Sequence, residues 1–186
     1  PAINAAPTAN VTYGDAVNNT HLTGGAASVP GGTASVTGSF QWMDGVTDYG
    51  DAGTKTLKAK FVPNDATAYQ TVENIDVAVT VSAKTLTDVT VADIAAQPYT
   101  GSQSKPAVTV TGDSGKTLVE DKDYTVTYGA NNTVGASAGT VTVQEKSGGN
   151  YSFTEVVKNF DIKAGGSTVT INSAPGKTYD GNVVAD

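Results

Sequence analysis

An all-β fold of tandem small β-sandwich (Ig-like) modules is the architecture this sequence predicts, and three observations predict it. Short runs alternate apolar and polar residues, as where Leu57, Ala59 and Phe61 are interleaved with Thr56, Lys58 and Lys60. That period of two is the signature of a half-buried strand. Turn chemistry interrupts these runs, with 21 Gly and 7 Pro among 186 residues. These residues set the tight bends between short strands. Finally, a tyrosine turn recurs as Val11-Thr12-Tyr13-Gly14-Asp15, Gln97-Pro98-Tyr99-Thr100-Gly101 and Lys177-Thr178-Tyr179-Asp180-Gly181. Tyr13 and Tyr99 are 86 residues apart, and Tyr99 and Tyr179 are 80 apart. Such a period is one small domain long.

Taken in order, Pro1 to Asn10 reads as a small polar leader. Thr23-Gly24-Gly25 and Pro30-Gly31-Gly32 read as loops, and Ser35 to Trp42 as a strand closed by Asp44-Gly45. Lys55 to Phe61 is the clearest strand, and Pro63-Asn64-Asp65 turns the chain. Ile75, Val77, Val79 and Val81 then put one apolar face on a closing strand within Asn74 to Ser82. Ser82-Ala83-Lys84 is the seam, too short for wide swinging and expected to be where a protease separates the modules. The second module repeats the plan. Val108 to Val110, Tyr124 to Tyr128, Thr140 to Val143 and Lys158 to Ile162 read as strands, and Thr111 to Gly115 as a turn. Thr117 to Tyr124 has room for one helical turn at most.

A second marker has the same period. Tyr69 precedes Asn74-Ile75-Asp76-Val77 and Tyr151 precedes Asn159-Phe160-Asp161-Ile162, with 82 residues between the tyrosines and 85 between the asparagines. The expected domains are therefore 1–83 with leader 1–10, 84–165, and 166–186 as the truncated start of a third repeat. Its first strand would be Ser167 to Ile171, and the chain reads as an excised piece of a longer protein.

Charge excludes several classes of function. The net charge is −7, and all 11 basic residues are Lys. Nucleic-acid binding leans on basic patches and on the arginine fork, so no nucleic acid is expected as a partner. Without Cys there are no disulfides, thiolate metal sites or Cys nucleophiles. No apolar run reaches the roughly 18 residues of a spanning helix, so no membrane insertion of this segment is expected.

The tyrosine turns, the Leu118 to Tyr128 segment and the Gly149-Asn150-Tyr151 turn resemble tandem repeats of bacterial surface proteins, of the MBG and YDG types and related bacterial Ig-like repeats. The resemblance implies a non-catalytic stalk or adhesion segment of a large secreted or cell-surface protein. Its partners would be neighbouring repeats of the same chain and a host or cell-surface glycan or protein. The alternative is a carbohydrate- or protein-binding module of an adhesin or of a wall- or polysaccharide-degrading enzyme. The resemblance supplies no catalytic residue.

The chemistry of individual residues narrows the candidate sites. His21, the sole His, has no evident partner for acid–base or metal work, and reads as a solvated loop residue. Asp44, Asp48 and Asp51 offer oxygens for calcium, but lack the spacing of a calcium loop and suit an ordinary turn. Glu120, Asp121 and Asp123 form a second acidic cluster, weaker still as a metal site. Trp42 and Tyr49 would make a sugar-stacking platform, against the plainer reading of Trp42 as a core anchor in phase with Phe40. Lys58 and Lys60, the obvious lysines for a self-formed isopeptide link, alternate outward. Asn10, Asn18, Asn131 and Asn150 match Asn-x-Ser/Thr, to which no function attaches. Catalytic, cofactor-binding and metal assignments are therefore none. Tyr13, Tyr99 and Tyr179 are read as the turns that open each module, with the Tyr99 ring expected near the junction with module one.

Overall fold

The computed structural model describes residues 1–165. Ser167 to Ile171, Tyr179 and the rest of the expected third repeat lie outside the described residues. Half of the described residues are in strands and 4% are helical, which makes the fold all-β as the alternation predicts.

The first half is one five-stranded sheet. Its strands are β1 (Ala2–Thr12), β2 (Thr23–Ser28), β3 (Gly38–Trp42), β4 (Gly53–Pro63) and β5 (Val72–Ser82), in the order β2-β1-β5-β4-β3. β1 and β5 run parallel, from Thr8 against Ala78 to Thr12 against Ser82, and the other pairs are antiparallel. On β5 the predicted face is the buried one, Ile75, Val77, Val79 and Val81, with Asp76, Ala78 and Thr80 exposed.

The second half has nine strands among its described residues, most of them short. They are β6 (Lys84–Thr85), β7 (Thr90–Val91), β8 (Gln97–Pro98), β9 (Val110–Gly112), β10 (Lys116–Thr117), β11 (Tyr124–Tyr128), β12 (Gly135–Glu145), β13 (Tyr151–Ser152) and β14 (Val156–Lys163). They form the sheets β10-β9-β7, β11-β12-β14-β8 and β13-β6. Val110 of β9 and Val143 of β12 share a buried cluster with Leu86, Leu118 and Tyr151, so the larger two sheets close face to face over it.

Two expectations need correction. Pro1 to Asn10 is no leader: all but its first residue belong to β1, which is paired on both edges. Pro7, Ala9 and Val11 point inward, but proline and alanine carry too little apolar bulk to mark a core face. Gly24 and Gly25 lie in β2 rather than in a loop. Thr117 to Tyr124 keeps within the single turn allowed it, the Lys122 and Asp123 N–H groups both turning back to Val119 O. The short helices among the described residues are Asn19–His21 and Asp113–Gly115.

Glycine in these strands makes room for rings. A Cβ on Gly139 would sit 2.3 Å from the Phe160 ring on the paired strand, and one on Gly25 would sit 2.5 Å from Phe40. Gly139 has no unusual backbone angle, so the cost of a side chain there is purely steric. Gly139→Ala is expected to destabilise by about 2 kcal/mol, as overpacking does, read as a lower urea midpoint at constant slope. An unchanged midpoint would mean that Phe160 has another place to go.

Candidate functional site

A cleft of about 480 Å³ lies where the two halves meet. Two first-half segments build one wall. The turn after β1 is fixed by reciprocal bonds, Thr12 N–H to the Asp15 carboxylate at 2.8 Å and Asp15 N–H to Thr12 O at 3.0 Å. The loop before β4 supplies Asp48, Tyr49, Gly50 and Asp51, with Gly50 N–H given to Asp48 Oδ1 at 2.7 Å. Lys84, Lys116 and Tyr151 of the second half make the opposite wall. The cleft thus sets three carboxylates against two ammonium groups. Lys116 Nζ lies 6.0 Å from the centre of the Tyr151 ring, near the limit for cation–π attraction. The Tyr151 hydroxyl beside it holds the Lys116 pKa above the usual lysine value.

Behind the cleft, Asn150 ties the halves together. Its Oδ1 accepts the Ala52 N–H at 2.7 Å, and its Nδ2 donates to Asp51 Oδ1 at 2.7 Å. Its backbone oxygen accepts the Lys84 N–H at 2.9 Å. With only 3% of its surface exposed, Asn150 makes these bonds sheltered from water, where losing one is costly. Tyr13 adds an edge-to-face contact with Tyr151, centroids 5.3 Å apart and planes at 88°.

The seam is consequently part of the structure. Ser82 O accepts the Tyr13 N–H at 2.8 Å, and Lys84 pairs with Tyr151 in the β6–β13 ladder. A protease needs an extended, unpaired segment, so the cleavage expected at Ser82 to Lys84 does not fit this geometry.

No protein-family model, curated protein sequence or solved structure matches this chain. The site is read from its own chemistry.

Trp42 and Tyr49 do not form a platform. They are 5% and 3% exposed and pack on each other with centroids 5.6 Å apart. The Trp42 indole N–H donates to Asn18 O at 3.0 Å, which fixes the ring in the core. Their faces are covered, and only the rim of Tyr49 reaches the cleft. His21 is not simply solvated: its Nδ1 lies 2.8 Å from the Tyr49 hydroxyl, which also accepts the Asn18 N–H at 3.0 Å.

The acidic residues disperse to separate partners. Asp44 pairs with Lys60 at 3.3 Å, Asp48 caps Gly50, and Asp51 receives Asn150. Asp123 turns back to the Val119 N–H at 2.9 Å, while Asp121 stands in a left-handed turn at φ 64°. Among the described residues no three carboxylate or histidine groups are placed to hold a metal. Lys58 pairs with Asp76 at 2.5 Å in solvent, with side chains 48% and 68% exposed. That is far from the buried setting an isopeptide link requires. Among the described residues no helix is long and apolar enough to cross a membrane.

Asn150 is the site residue that the sequence did not single out. Its two signals were a place in the Gly149-Asn150-Tyr151 turn and a match to Asn-x-Ser. Asn131 is similar: 4% exposed, it gives Nδ2 to Ser104 O and Thr140 O and accepts the Thr140 N–H.

Tyr99 is not near the junction with module one. It follows β8, its N–H donates to Lys163 O at 2.7 Å, and its side chain is 43% exposed at the far end of β14. The tyrosine that fills the junction is Tyr13.

Proposed function

We propose that this chain is a non-catalytic stalk segment of a bacterial surface or secreted protein, with its two halves acting as a rigid pair of repeats. The observation that carries the reading is the Asn150 clamp. A buried side chain of one half satisfies two polar groups of the other, and its backbone satisfies the seam. A spacer must transmit position, and a junction of this kind suppresses the swinging that is the default between domains.

Support for a repeat comes from matched geometry. Tyr13 N–H meets the last residue of β5, and Tyr99 N–H meets the last residue of β14. Both tyrosines follow a strand paired parallel to that closing strand. As a binding module, the chain would use the junction cleft, but Asp48, Asp51 and Asn150 already spend polar atoms there on holding the wall in place. The stalk reading is therefore preferred.

Residual dipolar couplings test the rigidity. Amides of residues 1–82 and 84–163 are expected to fit one alignment tensor. Two tensors of clearly different magnitude would sink the rigid-spacer reading.

A further inference from the structure

We propose that the far end of the second half is a docking surface for a further domain of the same kind, which the chain enters at Gly165. The inference rests on the repeat reading above and names the atoms that would make the contact. At the occupied junction, the chain leaves β5 at Ser82 beside Tyr13, and Ala52, one residue before β4, gives its N–H to Asn150. The far end has each of these positions. The chain leaves β14 at Lys163 beside Tyr99, and Val134 stands one residue before β12. The register matches as well: Gly53 pairs with Val81, and Gly135 with Ile162. Even the seam is shared, with Ser82-Ala83 and Lys163-Ala164 following the same strand end.

The two ends differ in their cover. Tyr13 is partly buried against Tyr151, whereas Tyr99 is 43% and Val134 47% exposed. The exposed large apolar side chains among the described residues are Tyr99, Val119, Val134 and Val157, so two of the four fall on junction positions. Exposed apolar surface placed this way marks a contact site. Gly165 lies against the same place, since a Cβ on it would sit 3.1 Å from Tyr99 O.

The chemistry of the occupant follows from the first junction. It would offer a tyrosine edge to the Tyr99 ring and a sheltered asparagine amide, whose oxygen accepts the Val134 N–H. Its NH2 would donate to the Thr133 hydroxyl, which stands where Asp51 stands. A second copy of this chain does not qualify, because its own Asn150 and Tyr151 are engaged with its first half.

The test inserts an additional copy of residues 84–164 between Ala164 and Gly165 of the full chain. Amide exchange at the original Val134 is expected to slow by about tenfold or more relative to the parent, as a newly buried hydrogen bond requires. Tyr99→Ala should shift the parent's melting temperature by less than about 2 °C and that of the extended chain by roughly 5 °C. A folded added copy, with Val134 exchanging at the parent rate and Tyr99→Ala equally mild in both chains, overturns the docking inference alone. An added copy that does not fold overturns the repeat reading, and the inference with it.

Discussion

Trp42→Ala is expected to remove about 3–5 kcal/mol, the largest loss from any single side chain in the first half. The indole is 5% exposed and lies in one cluster with Tyr49, Ala59, Val77 and Val79. Two costs combine. A cavity replaces the ring, and Asn18 O loses the indole N–H that reaches it at 3.0 Å. Trp42→Phe separates them by keeping most of the bulk, and is expected to cost about half as much. The measurement is urea unfolding followed by circular dichroism, because the sole tryptophan is the residue removed. A loss below about 1.5 kcal/mol for Trp42→Ala would show that this ring is not the anchor of its core.

Asn150→Ala is expected to cost about 3 kcal/mol and to split one unfolding transition into two, since it takes the partner from both Ala52 N–H and Asp51. Asn150→Asp makes the stronger experiment. The new carboxylate still accepts from Ala52 but faces Asp51 Oδ1, where the amide donated at 2.7 Å. Two charged carboxylates at that distance repel, and a proton shared between them restores the lost donor. The variant should therefore be weak at neutral pH and recover part of its coupling as pH falls toward about 4. Calorimetry at both pH values reads the coupling directly. A single transition at neutral pH in both variants would mean that the junction does not depend on this amide.

Sequence read the fold well wherever branched side chains carried the period. β4, β5, β11 and β14 stand within a few residues of their predicted places, because Val, Ile and Phe alternate with Thr, Lys and Asp along them. β1 and β2 escape a count of apolar bulk because most of their buried residues, Pro7, Ala9, Ala27 and Ser28, carry little of it, and Val11 alone makes no period. β6, β7, β8, β10 and β13 are two residues each, too short to have a period.

The junction was less legible for a different reason. Asn150 bonds to residues 98 and 99 positions away, and nothing local to an asparagine announces such partners. Tyr13 and Tyr99 stand alike in the structure, each just after a strand paired in parallel with a closing strand. Sequence order places each tyrosine early. The parallel pairing of its strand with the closing strand carries it to the exit instead.

That same parallel pairing has a mechanical meaning. β1 leads the first half and β5 ends it, and five residue pairs join them, from Thr8–Ala78 to Thr12–Ser82. Tension along the polypeptide draws the start of β1 and the end of β5 in opposite directions, so it loads this ladder in shear. Its hydrogen bonds then share the force and must yield together, whereas an antiparallel hairpin would unzip them singly. Forced unfolding is governed by the height of such a barrier rather than by equilibrium stability. The first half would therefore resist pulling more strongly than its modest core alone would allow.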